Sequence, residues 1–300
     1  MKGGIPQSVV LLAHGLNLRP DRMRAIEHAV QDAGGLPILF TLPGHEGNWR
    51  ALRRLDTDRL LRRAAEVIRE AERARSALEG TRASDGATAP RLRFVGVSFG
   101  ALAVLCVLAE AAARRTANGL ETGRAGATAE AGEGPAVFTD AILLSPALSL
   151  RRRVRWLESA LRTLPGAFPI PSISAPGHRV FPALPLQAYR VLFEILGRLE
   201  NALACRPLEL PLRIYLDVND ELIWSAGIAR LIRTGAFPNA ELVTPQPEPP
   251  ARKGNSTRRG QTEGGDTDRR TGPAHLLVDR ESMGTALWSD FRSAVRRRGT

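Results

Sequence analysis

A serine between two glycines stands where a β-branched run of the chain meets a helix-forming run. The stretch "GVSFG", residues 96–100, matches the pattern GxSxG and has Ser98 at its centre. The pattern alone arises by chance in roughly one chain in eight of this composition, so its surroundings carry more weight than its letters. A strand is predicted over residues 92–97 and a helix from Ala101 onward, which places Ser98 in a sharp strand-to-helix turn.

A turn of this kind pushes the serine side chain out of the sheet edge, which makes Ser98 a candidate nucleophile. The flanking residues Gly96 and Gly100 relieve the crowding that such a turn creates with neighbouring backbone. The N-terminus of the following helix favours an alkoxide or an oxyanion. The alternative is an ordinary glycine-flanked turn without chemistry.

A nucleophilic serine needs a base, because an unassisted hydroxyl is a poor nucleophile at neutral pH. Of the five histidines, His28 falls inside the first predicted helix and His178 lies in a long irregular region. His14 and His45 directly follow the first and second predicted strands and are interpreted as structural or oxyanion-loop residues. His275, in "GPAHLLVDR", follows the last predicted strand and completes the chain order serine, acid, histidine. His275 is therefore the candidate base.

The acid that orients the base is expected after the strand over residues 212–216. The stretch "YLDVNDELI" offers Asp217, Asp220 and Glu221. Asp217 is still near the strand end, where its side chain can cap the turn. Asp220 lies further out and is followed by an apolar pair that can anchor the loop on the sheet, so Asp220 is preferred. Whether Asp217 shares the role is left open by the sequence.

The oxyanion of an acyl-transfer reaction needs two backbone donors. One is the amide of Phe99, directly after the serine and at the start of the helix. The other is expected from "AHGLNLRP" after the first strand, where Gly15 lets the backbone approach closely and Leu16 can point its amide inward. The sequence does not decide between Leu16 and Asn17.

These residues depend on elements that bring them to one place. Short apolar runs at residues 9–13, 36–42, 92–97, 141–144, 212–216 and 241–244 are predicted to be strands. Segments of helical periodicity lie between them, at residues 23–33, 60–71 and 99–115. Continuous apolar strands alternating with helices predict an α/β fold, with about six mostly parallel strands covered by helices on both faces. The ligand site of such a sheet lies beyond the carboxyl ends of its strands.

Three segments interrupt this pattern within one predicted domain, residues 1–300. Residues 116–136 and 246–273 contain almost no large apolar side chains and are predicted to be disordered surface loops. Residues 149–211, called the lid segment below, are far longer than an ordinary crossover. They hold a basic helix candidate over residues 151–164 and an amphipathic helix with apolar residues from Tyr189 to Leu203 on one side. Over the carboxyl end of a sheet, this segment would form a small helical lid.

Composition narrows the classes of function. The formal charge is +11, but the only lysines are Lys2 and Lys253, and the abundant arginines are spread over several predicted helices. No zinc-ligand spacing, nucleic-acid-binding aromatic string or basic zipper is present, so no nucleic-acid partner and no metal are expected. Cys106 and Cys205 are too few for a disulfide framework, which favours a reducing, cytoplasmic location. The longest apolar stretch, residues 101–108, is too short to cross a bilayer.

The motifs together resemble the α/β-hydrolase superfamily, in particular its small carboxylesterase and monoacylglycerol-lipase-like branch. The resemblance rests on "LLAHG", "LPGHEG", "GVSFG", "DVNDELI" and "HLLVD" in this order. It implies a minimal version of that fold, without the antiparallel strands that open larger members, and no cofactor. By position it implies Ser98 as the nucleophile, Asp220 as the acid, His275 as the base, and Leu16 and Phe99 as oxyanion donors.

The sequence therefore predicts a serine hydrolase that cleaves carboxylic esters with an apolar acyl group through an acyl-enzyme. An acyltransferase or a thioesterase on the same scaffold stays open, as does a catalytically silent binding protein. The basic stretch of the lid segment adds peripheral membrane contact as a further hypothesis. Neither the alcohol group nor the oligomeric state follows from the sequence.

Overall fold

A parallel β-sheet forms the centre of the computed structural model, which describes residues 5–83, 88–117, 138–160, 163–172, 174, 176–245 and 275–297. Within these residues the sheet has six strands, which are β1 (Ser8–Ala13), β2 (Gly35–Phe40), β3 (Arg91–Val97), β4 (Asp140–Leu144), β7 (Leu212–Tyr215) and β8 (Ala240–Val243). They pair in parallel in the order β2-β1-β3-β4-β7-β8. The predicted α/β class and the six-stranded parallel sheet are confirmed.

Helices follow most of these strands and cover both faces of the sheet. They are α1 (Arg24–Asp32), α2 (Trp49–Arg53), α3 (Thr57–Ala83), α4 (Ser98–Ala117), α5 (Arg152–Ala160), α6 (Leu186–Cys205), α7 (Ser225–Arg233), α8 (Arg280–Met283) and α9 (Thr285–Arg296). The short α2, α7, α8 and α9 were not predicted from the sequence. The predicted loop over residues 246–273 lies outside the described residues, and so does the loop over residues 116–136 beyond the end of α4 at Ala117.

Alternate residues of each strand pack into two separate cores. On one face, Leu11, Phe94 and Ile214 pack with residues of α3, α4 and α6. On the other face, Leu12 and Val95 pack with residues of α1 and α9. Because both faces are covered, most strand residues are apolar, and this explains why the strands could be recognised in the sequence.

The lid segment lies on one side of the sheet and is built from α5, α6 and a small antiparallel pair, β5 (Pro169–Pro171) with β6 (Ala183–Pro185). The apolar stripe of α6 is buried against α4, so this stripe is core rather than a free surface. Arg198 of α6 adds ion pairs to Glu110 of α4 and to Asp58 of α3, both at 2.6 Å. No helix among the described residues has the length and apolar character needed to span a membrane.

Candidate active site

Ser98 stands at the junction of β3 and α4 in a conformation that few residues adopt. Its φ angle is +47°, in the left-handed region, where a non-glycine residue stores roughly 1–3 kcal/mol of strain. The turn is packed against the loop after β1, since a Cβ placed on Gly15 would lie 3.3 Å from the Cβ of Ser98. The sharp turn predicted from "GVSFG" is therefore present.

Three side chains that are far apart in the sequence meet at this turn. The Ser98 hydroxyl lies 2.9 Å from Nε2 of His275, and Nδ1 of His275 lies 2.9 Å from Oδ2 of Asp220. All three side chains are buried. With the imidazole proton on Nδ1, His275 donates to the Asp220 carboxylate and accepts from the Ser98 hydroxyl. The proton on that hydroxyl thus has a neutral acceptor within hydrogen-bond distance.

The Asp220 carboxylate is held by backbone as well as by the imidazole. Its Oδ1 accepts hydrogen bonds from the amides of Leu222 and Ile223, each at 2.8 Å. Burial alone acts to raise the pKa of Asp220, but the hydrogen bonds and the charge interaction with His275 outweigh it and lower this pKa below its usual value. Asp220 is therefore an anion at neutral pH, and its fully buried position fixes the direction in which it accepts.

Asp217, the other aspartate of this loop, lies at the end of β7. Its Oδ1 accepts from the Asn219 amide at 2.8 Å, and its carbonyl accepts from the Asp220 amide at 3.1 Å. These are the bonds of a turn. The structure thus brings Asp220, and not Asp217, to within hydrogen-bond distance of His275.

Glu221 fixes the backbone beside the imidazole. The His275 amide donates to Oε2 of Glu221 at 3.2 Å, and the residues that follow His275, Leu276 to Val278, are buried under the sheet edge. Among the three acidic residues weighed from the sequence, Glu221 supports the base instead of orienting its ring.

Two buried histidines shape the loop after β1. Nε2 of His14 accepts from the Leu42 amide at 3.0 Å, and Nε2 of His45 accepts from the Asn17 amide at 2.8 Å. Their Nδ1 atoms face the carbonyls of Gly15 and Pro43. Both imidazoles must be neutral to accept these bonds. Burial and the neighbouring His45 lower the pKa of His14 to about 3, and burial lowers the pKa of His45 to about 4.

This loop has two amides that were weighed as oxyanion donors. The Asn17 amide is already bound to His45, and Asn17 has a φ angle of +61°. No acceptor for the Leu16 amide is found among the described residues. The Phe99 amide lies in the first turn of α4, where helical N–H groups lack an intrahelical partner. Leu16 and Phe99 therefore have the free donors, and Asn17 does not.

Because His14 and His45 are buried as neutral imidazoles, we expect the free energy of unfolding to fall in mild acid. Between pH 6.5 and about 4, the unfolded chain protonates both imidazoles and the folded chain does not, so the free energy of unfolding decreases as the pH falls. Each histidine contributes about 1.4 kcal/mol per pH unit in this window. Urea unfolding at about pH 7.5 and about pH 5 measures the loss, which we expect to total roughly 2–4 kcal/mol.

Replacing one histidine by a residue that does not titrate tests whether these imidazoles cause the loss of stability. His14→Gln removes the titrating group, so this variant loses less stability between the two pH values than the wild type does. The matched control is His28→Gln, since His28 is exposed on α1. Equal losses in the wild type, the His14 variant and the His28 variant would contradict the assignment.

The first residues of the lid segment bind the loop that carries the acid, and this was not predicted. Nε of Arg151 donates to the Asp220 carbonyl and a guanidinium N–H of Arg153 donates to the Glu221 carbonyl, both at 2.6 Å. A run of arginines in the sequence is typical of a solvated helix face, so the sequence contained no signal for these contacts.

Among the described residues, no group of three or more His, Cys, Asp and Glu side chains is arranged to hold a metal ion.

Comparison with solved structures identifies the fold of the chain. No protein-family model matches the sequence, and no curated protein matches it. A structure from work on LipS and LipT, two metagenome-derived lipolytic enzymes, is 16% identical with a TM-score of 0.61, over 98% of this chain and 95% of that one. A soluble variant of monoglyceride lipase from Saccharomyces cerevisiae, in complex with a substrate analog, is 11% identical with a TM-score of 0.59, over 98% of this chain and 89% of that one. The chain has the α/β-hydrolase fold.

Proposed function

We propose that the protein is a serine hydrolase that cleaves carboxylic esters through an acyl-enzyme. The observation that carries this proposal is the chain of two 2.9 Å contacts from the Ser98 hydroxyl through His275 to the buried carboxylate of Asp220. A serine hydroxyl, an imidazole and a carboxylate in this order are the parts that nucleophilic acyl transfer needs. The fold that this chain shares with lipolytic enzymes supports the same reaction class.

In the first half-reaction, the Ser98 oxygen attacks the ester carbonyl carbon while Nε2 of His275 takes the hydroxyl proton. The tetrahedral intermediate collapses when the bond from carbon to the alcohol oxygen breaks, and the imidazolium returns the proton to the leaving alcohol. In the second half-reaction a water molecule, activated by the same imidazole, releases the acid and regenerates Ser98. Asp220 fixes the Nδ1–H tautomer and stabilises the imidazolium.

The developing oxyanion needs donors in place before the reaction starts. The Leu16 and Phe99 amides have this role in the proposal. The neutral His14 and His45 hold the loop so that the Asn17 amide points away and the Leu16 amide stays free. Removing one oxyanion donor from a serine hydrolase typically lowers kcat by roughly 10²–10³-fold. The conformation of this loop is therefore expected to affect kcat strongly.

An apolar acyl group fits the walls beside the serine. The small cavity beside Ser98 is lined by Leu184 and Leu192 of the lid segment. It is also lined by Leu222 of the loop between β7 and α7, which carries Asp220 and is called the acid loop below. No Asp, Glu, Lys or Arg side chain is found among the described residues that line it. An ester whose acyl side carries no charge is therefore the proposed substrate class.

A covalent fluorophosphonate probe tests the proposal. The probe phosphonylates activated serine hydroxyls, so we expect labelling of the wild type and none of Ser98→Ala. Ser76→Ala is the matched control, because Ser76 is exposed on α3, and it should label as the wild type does. A wild type that stays unlabelled, and hydrolyses no aryl ester, would favour a catalytically silent binding protein.

Peripheral membrane contact and a cytoplasmic location stay predictions. Three arginines of the basic stretch, Arg151, Arg153 and Arg155, have partners within the chain, which leaves less free charge for a lipid surface.

Cys106 is a buried thiol and Cys205 an exposed one, and neither forms a disulfide. An exposed free thiol is typical of a reducing compartment.

A further inference from the structure

The space beside the serine is small. A cavity of ≈ 70 Å³ reaches from Ser98 and His275 to Leu184 and Leu192 of the lid segment. It is less than half the size of a cavity of about 150 Å³ that binds benzene, so it accommodates about three carbon atoms. Resting on the proposed function, we infer that the natural substrates are esters of short acyl groups, roughly two to four carbon atoms long.

The inference requires that the cavity keep its size, so the attachment of the lid segment matters. One attachment is to the loop that carries Leu16. The Asn17 side chain makes two 2.9 Å hydrogen bonds with the backbone of Phe181, one in each direction. The Val180 amide donates to the Asn17 carbonyl at 3.0 Å, and the Arg19 amide donates to the His178 carbonyl at 2.9 Å. Residues 178–181 cannot swing away without breaking these bonds and releasing the proposed oxyanion loop.

The second attachment is to the acid loop. Beside the guanidinium contacts to the Asp220 and Glu221 carbonyls, the Arg151 amide donates to the Leu222 carbonyl at 2.9 Å. The Trp224 amide donates to the Ser149 carbonyl at 2.8 Å. An outward movement of this end would disturb the residues around Asp220 as well.

The helix that follows both attachments along the chain, α6, is fixed to the body of the protein. Its Glu194 accepts from the Thr57 hydroxyl at 2.6 Å, and its Gln187 donates to the Leu55 carbonyl at 2.9 Å. Ile195 and Leu199 are buried in the core below it. Leu192 therefore forms a wall of the cavity and not the edge of a free flap, and a longer chain has to displace packed side chains.

The small cavity suits the acyl half of the ester rather than the alcohol half. The acyl carbon is bonded to Ser98 from the attack of the hydroxyl until water releases the acid, whereas the alcohol must leave before water enters. A group that leaves first needs a path to solvent, and a group that stays can occupy a small space between packed side chains. The alcohol side of the substrate is consequently expected to tolerate larger groups.

The wild-type protein provides the first test, with p-nitrophenyl esters from acetate through butyrate and octanoate to laurate, each below its solubility limit. We expect kcat/KM to be highest between acetate and butyrate and to fall at least about tenfold by octanoate. Acetate esters of alcohols of increasing size should vary less than this. Octanoate or laurate hydrolysed as fast as butyrate would overturn the inference, and so would a steep dependence on the alcohol with a flat dependence on the acyl chain.

Variants of the wall provide the second test. Leu192→Ala and Leu184→Ala enlarge the cavity, so the octanoate-to-butyrate ratio of kcat/KM should rise at least about tenfold in each. Leu196→Ala is the matched control, because Leu196 is buried one turn further along α6 and is not among the described residues that line the cavity. Leu192→Val repeats the test with a smaller change if an alanine variant melts below the assay temperature. An unchanged ratio in folded Leu192 and Leu184 variants contradicts the inference.

Failure of this inference is distinct from failure of the proposed function. Labelling of Ser98 by the fluorophosphonate, together with a preference for long acyl chains, leaves the hydrolase in place and overturns the short acyl group. The absence of both labelling and turnover overturns the two together.

Discussion

Replacing Ser98 by alanine, or His275 by alanine, is expected to lower kcat for an aryl acetate by roughly 10⁴- to 10⁶-fold. The reason is that the hydroxyl and the imidazole act as one unit, joined by the 2.9 Å contact between Oγ and Nε2. For the same reason, the double variant should be no slower than either single variant. Single-turnover and steady-state hydrolysis of p-nitrophenyl acetate measure all three.

The acid loop provides the control for this prediction. Asp220→Asn should lower kcat by about 10⁴-fold, because an amide in place of the carboxylate favours the wrong imidazole tautomer. Asp217→Asn keeps an oxygen for the turn and should stay within about tenfold of the wild type. Additive losses in the Ser98 and His275 double variant, or a larger loss from Asp217 than from Asp220, would contradict the proposed roles.

Gly100→Ala is expected to destabilise the fold by about 3 kcal/mol or more. A Cβ at Gly100 would lie 2.8 Å from the Ala13 carbonyl carbon and 2.9 Å from the Ala13 Cβ, and it would also contact the His14 carbonyl oxygen. Ala13 is the last residue of β1, and β1 has little freedom to move because both neighbouring strands bond to it. The free energy of unfolding, measured in urea at neutral pH, reports the loss.

Gly197→Ala is the control for the glycine change. Gly197 lies in the middle of α6, and outside its chain neighbours and the backbone of its own helix no atom of the described residues lies within 4 Å of a Cβ placed there. Alanine is the better helix former, so this variant should be more stable than the wild type by about 0.5–1 kcal/mol. If Gly100→Ala unfolds at the same urea concentration as the wild type, the close approach of α4 to β1 is wrong.

The strands and the nucleophile turn could be predicted because their physical signals are local. A buried parallel strand is mostly apolar, and β1 was predicted to within one residue of its observed start at Ser8. The sharp turn at Ser98 was predicted from the glycines on both sides and from the strand and helix that flank it. Asp220 was preferred over Asp217 because an apolar pair follows it, and in the structure Asp220 is the aspartate that contacts His275.

What could not be predicted depends on contacts between segments that carry no distinctive residue types. Asn17 reads as an ordinary turn residue, yet its side chain bonds the backbone of Phe181, 164 positions away. Arg151 reads as part of a charged helix, yet it bonds the Asp220 carbonyl. Backbone acceptors exist at every position, so a donor in the sequence does not reveal which one it will find.

The double attachment of the lid segment means that specificity and chemistry are not separable modules in this protein. A chimera that received residues 149–211 from another hydrolase would replace the main-chain partners of Asn17 in the middle of the segment. It would also replace, at the start of the segment, the guanidinium groups that bond the carbonyls of Asp220 and Glu221. Grafting a new specificity onto this scaffold therefore requires exchanging the anchoring side chains together with the segment.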